Sequence, residues 1–497
     1  MRTDKNSVLR TRRDFLRQAS CAAVGTLALT NTVRDLHLIN SAMAQSGIPS
    51  GSTDYKALVC IFLSGGNDSN NWVVPTDTTT FDQYTQIRAN LALPQSSLLP
   101  LCQTGTSGAA YSDSDGHTYG FHPACPELQT LFGEDKLAVL FNVGTLVRPT
   151  TRAQYTSSTS KFYQPPQLFS HSDQVTQWQT SIPDAPPATG WAGRVADLLD
   201  ASTNRNGNIS MSVSLNGANT FQIGNIVSQY QVSTSGAVVA TGDQMGATGA
   251  RLAAMKNILA LSDPNLQRNA YAGVVKNAIA VGDLLNTAVA GTVLDSFWSV
   301  PFPNTTLGNQ LKMVARLIEA RGNPATPATG KFNMSRQTFF CGAGGYDTHT
   351  SQVSVNGTDQ PTNASGAHYK LLDEVSACMF AFQRAMEQLG IGNKVTTFTA
   401  SDFSRTLPTN SQGSDHGWGA HHLIMGGAVK GGRTYGKLPT FAINGPDDTG
   451  LGRWIPTLAV DQYSATIAKW FGVDSGNIAA VFPNLSRFTS SDLGFML

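Results

Sequence analysis

The segment ALVCIFLSGGND, residues 57–68, decides the fold. Its first seven residues are all apolar, and a short Ser-Gly-Gly-Asn stretch separates them from Asp68. A continuous apolar run of this length is typical of a strand that is buried on both faces. The segment therefore predicts a central strand that ends in a tight turn carrying a carboxylate.

Shorter apolar runs recur along the chain, at 137–143, 338–341, 395–400 and 423–425. Most are separated by segments with helical periodicity. In Leu311–Ala320 and Leu371–Leu389 the apolar residues repeat every three or four positions, which indicates helices. Strands that alternate with helices predict an α/β fold with a mainly parallel central sheet, flanked by helices on both faces.

The predicted domain organisation is simple. Residues 1–44 are an export signal, and residues 45–497 form a single α/β domain with an insertion at about 206–330. The insertion begins with short polar and apolar alternations, continues into an Ala-rich helical region at 250–290, and contains a long loop at 233–249. Because no Pro- or Gly-rich linker isolates it, we interpret it as a side layer of the main domain.

The export signal has its three parts in order. TRRDFLR at 11–17 is followed by an apolar stretch at 21–30 and by Ala-Met-Ala at 42–44, a small-residue cleavage site. Two adjacent arginines before Phe-Leu indicate the twin-arginine route, so we expect the twin-arginine translocase as a partner and a periplasmic or secreted protein. A cytoplasmic chain with a basic amphipathic start is the alternative. No later segment reaches the roughly 18 apolar residues that a membrane span needs.

The charge and the cysteine content indicate which classes of partner and metal site to expect. The 34 basic and 33 acidic residues give a formal charge of +1, which gives no reason to expect nucleic acid as a partner. Cys102 and Cys125 bracket a polar loop and could form a disulfide, whereas Cys60, Cys341 and Cys378 lie in apolar runs. No Cys-x-x-Cys pair is present, which argues against a thiolate zinc site.

Acidic and imidazole side chains flank the predicted strands. Asp68 follows the first strand, Asp347 and His349 follow the strand at 338–341, Asp402 follows the strand at 395–400, and His416 precedes the strand at 423–425. Ligand sites in such sheets lie beyond the carboxyl ends of the strands. These groups would repel one another there unless a divalent cation such as Zn²⁺ or Mn²⁺ compensates.

Each of these residues also has an ordinary interpretation. An Asp after a strand is often the N-cap of the next helix, and a His in a Gly-rich loop is often solvated. His421 and His422 start the strand at 423–425 and point to opposite faces, so a ligand role for either stays open.

Ser170 is the candidate nucleophile. In the sequence LFSHSDQV, residues 168–175, it lies at a predicted helix start with Asp173 three positions later, where backbone amides lower the cost of an alkoxide. A plain N-cap is the alternative role for Ser170. His171 could act as a general acid or base, although adjacent residues rarely face the same way.

The order of these residues resembles the alkaline phosphatase superfamily of metal-dependent phosphatases, phosphoglycerate mutases and sulfatases. More closely, the chain resembles the exported bacterial family described as "domain of unknown function fifteen-oh-one", which is placed in that superfamily by similarity. The matching segments are Gly65–Asp68, Ser170–His171, Gly345–His349, Ser401–Arg405, Asp415–His416 and Gly426–Gly432.

The resemblance implies roles for individual residues. Asp68 and Asp402 would bind one divalent metal, and Asp347, His349 and His416 a second. Ser170 would lie between the metals as the nucleophile, and Arg405 would bind a non-bridging oxygen of the substrate. The implied cofactor is one or two divalent ions of Zn, Mn, Mg or Ca.

The chain also departs from the superfamily pattern. Phe403 stands where the superfamily phosphatases have a histidine ligand, and the spacing of Asp347 and His349 is shorter than usual. The segment 170–173 lacks the sequence context of the sulfatase nucleophile.

The predicted function is an exported metal-dependent hydrolase or transferase that acts on a small-molecule or polymer phosphate ester, or a related ester, through Ser170. The alternative is a catalytically degenerate protein that serves as a binding or scaffold protein at the cell envelope. An exported redox protein is a weaker alternative, because the chain lacks a haem or iron–sulfur cysteine pattern.

Overall fold

The structure is a computed structural model that describes residues 54–102, 110–186, 188–205, 207–237, 250–261, 265–323, 326–353, 362, 364 and 366–497. The predicted export signal at 1–44 and positions 238–249 of the predicted loop lie outside the described residues.

The strands form one large and one small sheet. In chain order they are β1 (Lys56–Leu63), β2 (Val73–Pro75), β3 (Leu99–Pro100), β4 (Tyr119–Phe121), β5 (Leu137–Gly144), β6 (Ser212–Ser214), β7 (Tyr230–Ser233), β8 (Gly236–Ala237), β9 (Arg336–Ala343), β10 (Val395–Ser401), β11 (Ala420–Met425), β12 (Arg433–Tyr435) and β13 (Leu458–Ala459).

The α-helices of the described residues lie between groups of these strands. In chain order they are α1 (Thr78–Arg88), α2 (Pro126–Gly133), α3 (Arg152–Thr156), α4 (His171–Thr180), α5 (Trp191–Thr203), α6 (Ala250–Ala260), α7 (Leu266–Ala290), α8 (Thr306–Glu319), α9 (Ala367–Gln388), α10 (Val460–Phe471) and α11 (Ile478–Val481).

The large sheet has the strand order β12-β5-β11-β10-β1-β9-β6-β7-β8, with β13 also paired to β5. Most neighbouring pairs are parallel, but β11 is antiparallel to both β10 and β5, and β8 is antiparallel to β7. The small sheet has the order β2-β4-β3. The prediction of an α/β fold with a mainly parallel central sheet is therefore confirmed.

Strand β1 is central, as its apolar run predicts. It pairs in parallel with β9 on one side and β10 on the other, and Leu63 is level with Ala343 and Ser401. Seven of its eight residues are buried. Because the three strands end at the same level, the residues that follow them emerge together at one edge of the sheet.

The reversed strand β11 brings its beginning to that same edge. It starts at Ala420, three residues earlier than its apolar run indicates, and Ala420 pairs with Val143 near the end of β5. His416, just before β11, therefore lies beside residues that follow the parallel strands. The sequence pattern gives no strand direction, so this arrangement emerges only from the structure.

His421 and His422 are core residues of β11. Each side chain is 1% exposed. The ring of His421 accepts a hydrogen bond from Asn142 N at 3.2 Å, and the ring of His422 stacks on Tyr463. Burial lowers the pKa of each histidine to about 3, and Asp68 opposes this shift at His421. Their crowding near His416 thus reflects packing of the strand.

We expect these two histidines to make the fold sensitive to acid. They are neutral in the folded protein, whereas the unfolded chain takes up protons below about pH 6.5, so stability is lost as the pH falls from about 6.5 towards 3. At pH 5 each would cost on the order of 2 kcal/mol. Urea unfolding at pH 7.5 and pH 5.0 measures the loss.

A variant pair isolates the effect of one core histidine. His422→Phe should reduce the difference between the two pH values, while Leu317→Val, a buried position without a titratable group, should not. Equal pH dependence in both variants would contradict the expectation.

The region 206–330 extends the main sheet. Strand β6 pairs in parallel with β9, β7 pairs with β6, and β8 pairs with β7, and helices α6, α7 and α8 follow along the chain. Among the described residues, no helix is both long and apolar enough to cross a membrane.

The five cysteines of the described residues are free thiols. Cys102 and Cys125, which could pair according to the sequence, instead lie near the carbonyl oxygens of Pro100 and Leu372. Cys60, Cys341 and Cys378 are buried, as their apolar surroundings predict.

Candidate metal centre

Gly65 joins the loops that follow β1, β9 and β10. Its N–H donates to Asp402 Oδ1 at 3.1 Å, and its φ of +116° is a conformation that L side chains rarely adopt. A Cβ at this position would lie 2.4 Å from Asp347 N. Only glycine therefore allows the backbones that follow β1 and β9 to approach so closely.

Three imidazoles and one carboxylate converge at this edge, and we call His171, His349, His416 and Asp347 the histidine cluster. His416 Nε2 lies 2.9 Å from His349 Nε2 and 3.1 Å from His171 Nε2. Asp347 Oδ1 lies 3.2 Å from His349 Nε2, 3.3 Å from His416 Nε2 and 3.6 Å from His171 Nε2. His171, Asp347 and His416 together satisfy the spacing of a metal-ligand group.

Each ring of the histidine cluster also has a partner for its other nitrogen. The Nδ1 pairs are His171 with Asp402 Oδ2 at 2.7 Å, His416 with Phe169 O at 2.8 Å and His349 with Asp415 Oδ1 at 3.0 Å. A carboxylate or carbonyl oxygen can only accept, so each Nδ1 carries a proton. In a neutral imidazole the Nε2 then carries a lone pair. Metal-binding histidines usually have this kind of outer partner.

Lone pairs that face one another repel unless a positive charge lies between them. A shared proton is one source, but burial and the Arg405 guanidinium lower the pKa of His416. A divalent ion is the other source, and two ligands of a tetrahedral zinc ion lie about 3.3 Å apart, given metal–nitrogen distances near 2 Å. The separations among His171 Nε2, His416 Nε2 and Asp347 Oδ1, from 3.1 to 3.6 Å, suit such an ion. These three residues thus fit a transition metal by donor type and spacing.

The histidine cluster is open to solvent on one side. The exposed fractions of the side chains are 22% for His416, 34% for His171, 41% for His349 and 49% for Asp347. Burial raises the pKa of Asp347, but Arg405 and the neighbouring histidines outweigh it and hold that pKa below its ordinary value. Asp347 is therefore an anion, and a small molecule can reach it.

The carboxylate of Asp68 binds other side chains of the protein. It is fully buried, and its Oδ2 accepts hydrogen bonds from Arg88 Nη2 and Gln352 Nε2. Burial raises its pKa, but Arg88 and His368 outweigh burial and lower it. The sequence analysis expected a metal ion to compensate the charge of Asp68. In the structure the Arg88 guanidinium provides that positive charge.

Arg405 does not fit the expected substrate-binding role. Its side chain is fully buried, so a substrate oxygen has no access to it. All three nitrogens donate to the protein; the acceptors are the carbonyls of Gly65, Gly66, Tyr346 and Ser414 and Oδ1 of Asp347. Arg405 instead fixes the loop that carries Asp347.

Asp402 contributes to the histidine cluster indirectly, through His171. Its side chain is 3% exposed, and its two oxygens accept from Gly65 N and His171 Nδ1. It orients a ring of the histidine cluster, where the sequence suggested a direct ligand.

Ser170 is the N-cap residue of α4, as predicted, but its side chain does not cap the helix. Its Oγ donates to Asp173 Oδ2 at 2.5 Å. The hydroxyl is partly exposed and directly precedes His171 of the histidine cluster. The structure therefore leaves Ser170 paired with a carboxylate at a helix N-terminus beside the cluster.

Phe169 and Arg453 bind His416 on the side of the ring away from the other imidazoles, through its Nδ1 and its backbone carbonyl. Phe169 has a φ of +71°, unusual for a bulky residue, which directs its carbonyl to His416 Nδ1. Its N–H donates to Gln174 Oε1 at 2.7 Å, and the Arg453 guanidinium lies 4.2 Å from the centre of its ring. Arg453 Nε also donates to His416 O at 2.8 Å.

Sequence reasoning missed two contributions to this site. His171 was a candidate acid or base, and its ring instead completes the histidine cluster, while Asp415 orients His349. The adjacency of Asp415 to His416 was visible in the sequence, but its partner was not. Nothing in the sequence around 171 distinguishes a cluster residue from an ordinary first residue of a helix.

The fold and this site define an α/β protein with a histidine-rich cluster at the carboxyl edge of a mostly parallel sheet. Residues 333–479 match the model of a family described as "Protein of unknown function (DUF1501)". The match covers Asp347, His349, Asp402 and His416 and supports the expected similarity over that part of the chain; His171 lies outside it. No curated protein matches the chain.

Proposed function

We propose that the protein is an exported, metal-dependent hydrolase or transferase that acts on a phosphate or related ester, with Ser170 as the nucleophile. The observation that carries the proposal is the metal-ligand spacing of His171, Asp347 and His416, with every Nδ1 of the histidine cluster already bound to an acceptor. Export rests on the twin-arginine signature at 11–17.

The proposed fold is alkaline-phosphatase-like. The mostly parallel sheet and the chain order of the residues at its carboxyl edge support this assignment. The ionic pairing of Asp68 with Arg88 favours one metal over two, because the charge of that carboxylate is already compensated. Imidazole ligands favour Zn²⁺ or Mn²⁺ over Mg²⁺ and Ca²⁺, which prefer oxygen.

A bound divalent ion would supply Lewis-acid polarisation of an ester oxygen. The chain itself supplies the nucleophile and its proton acceptor. In the proposed reaction Ser170 Oγ attacks phosphorus as its proton passes to Asp173 Oδ2, and the bond from phosphorus to the ester oxygen breaks. The alkoxide that leaves takes a proton from solvent water and departs as the alcohol. Attack by water on the resulting phosphoserine releases phosphate and restores the serine; attack by an alcohol gives the transferase reaction. The 2.5 Å contact between Ser170 and Asp173 provides the path for the first proton.

Arg453 takes the substrate-binding role first assigned to Arg405. Its side chain is partly exposed, and it contacts Phe169, the residue before the nucleophile. Nε is bound to His416 O, and among the described residues no acceptor binds the two terminal nitrogens. These nitrogens match two oxygens of a phosphate group.

Ser170→Ala should abolish hydrolysis of aryl phosphate mono- and diesters. We expect a loss of at least about 10³-fold in kcat, because the alanine cannot form the covalent intermediate. Metal content, measured by elemental analysis, should stay at about one equivalent, because Ser170 is not one of the proposed ligands.

Ser172→Ala is the matched control. Ser172 Oγ also contacts Asp173 Oδ2, at 3.3 Å, but lies on the first turn of α4 and should not affect turnover. Activity that survives Ser170→Ala would dismiss the nucleophile. Metal binding without turnover of any ester would favour the alternative, a degenerate protein that serves as a binding or scaffold protein at the cell envelope.

A further inference from the structure

A cleft of about 380 Å³ lies beside α4 and beyond the end of β1. Its apolar lining comes from Phe62, Val175, Ile223 and Phe340. Its polar lining comes from Ser64, Gln179, Asn216, Asn219 and Thr220. This volume is near the lower end of the range for small-molecule sites.

The cleft is linked to the histidine cluster through two elements. His171, Val175 and Gln179 are spaced by four residues on α4, so they share one face of the helix. The cleft therefore begins about one helical turn, roughly 6 Å along the axis, from His171. On the other wall, Ser64 O accepts from Tyr346 N, and Tyr346 directly precedes Asp347.

The lining of the cleft selects against charge. None of its lining residues is ionisable. Gln179 Oε1 already accepts from Thr220 N and Phe221 N, and the Asn219 amide already donates to Gln229. These two amide groups are bound within the wall of the cleft. Transfer of a carboxylate into such surroundings without a partner is costly, whereas an apolar ring gains from burial.

We propose that this cleft binds an uncharged, mainly apolar ring on the ester that the site cleaves. That the ring belongs to an ester rests on the proposed function. Binding of the ring itself needs neither metal nor turnover. The exposed amide of Asn216 provides one polar contact at the rim.

The test uses phenol and benzoate, two probes of similar size that differ in charge at neutral pH. Ligand-observed NMR titration of the metal-free full chain should show saturable binding of phenol and at least about tenfold weaker binding of benzoate. Ile223→Asp should weaken phenol binding about tenfold, and Ile223→Lys should strengthen benzoate binding by a similar factor. Ile223 is 39% exposed, so both variants should fold.

Ile258→Asp, at an exposed residue of α6 outside the cleft, is the matched control and should bind both probes as the wild type does. Absence of saturable phenol binding, or equal binding by wild type and both Ile223 variants, would overturn the proposal. Retained phenol binding in a chain that cleaves no ester would overturn the proposed function and leave the ring-binding cleft standing.

Discussion

Replacing His171 by alanine is expected to lower the affinity of the protein for Zn²⁺ by at least about 100-fold, because even loss of an outer partner of a metal ligand commonly costs 10- to 100-fold. His171 contributes Nε2 to the histidine cluster, 3.1 Å from His416 Nε2. Its Nδ1 is held by Asp402 at 2.7 Å, so the ring is already oriented before any ion binds. Competition with a chromophoric chelator measures the affinity.

His117→Ala is the control for this experiment. His117 also pairs its Nδ1 with a carboxylate, Asp77, at 3.0 Å, and its exposure is similar to that of His171. Its loss should leave Zn²⁺ affinity unchanged. If the two variants bind Zn²⁺ equally well, His171 is not a ligand.

Replacing Arg88 by methionine is expected to destabilise the protein by about 3–5 kcal/mol, because it leaves a buried carboxylate without its charged partner. Arg88 and Asp68 are both fully buried. The guanidinium also donates to the carbonyls of Thr406 and Leu407 at 3.0 and 3.1 Å and to Asn71 Oδ1 at 3.2 Å. Urea unfolding at pH 7.5 measures the free energy of unfolding.

Two further variants test the cause of that loss. Arg384→Met removes a partly exposed arginine that pairs with Glu134 and should cost less than about 1 kcal/mol. The double variant Arg88→Met and Asp68→Asn should recover part of the stability, since no unpaired charge remains. A single Arg88→Met variant as stable as Arg384→Met would mean that Asp68 is compensated in another way.

The sheet could be predicted because its strands are buried on both faces. β1 and β5 lie in the interior of the sheet, and most of their buried positions are apolar, so the run stands out in the sequence. The shorter strands β6, β7 and β8 show alternation but no such run, and their connection to β9 could not be derived. The antiparallel direction of β11 could not be predicted, because its apolar run at 423–425 resembles the runs of the parallel strands.

Part of the histidine cluster could be predicted from the rule that ligands collect beyond strand ends. Asp347, His349 and His416 were found in this way. Asp68 and Asp402 also lie beyond strand ends, but their carboxylates pair with side chains of the protein. Asp68 pairs with Arg88 of α1, and Asp402 pairs with His171 of α4. Such partners come from elements far along the chain, and sequence pattern alone does not pair them.

Burial was the other quantity that sequence pattern could not supply. Arg405 has the right residue type for binding an anion, but it lies under the loop of Asp347 and not at the surface. His421 and His422 have the right residue type for binding a metal, but they are packed into β11. In each case the chemistry of the side chain was compatible with two roles, and its position in the fold decides between them.

The most direct measurement is an anomalous difference map from crystals of the purified protein equilibrated with Zn²⁺. We predict a single strong peak among the three Nε2 atoms of His171, His349 and His416 and Oδ1 of Asp347, about 2.0–2.2 Å from the atoms that bind the ion. A map with no peak there, or with its peak beside Asp68 and Arg88, would contradict the assignment of the histidine cluster as the metal centre.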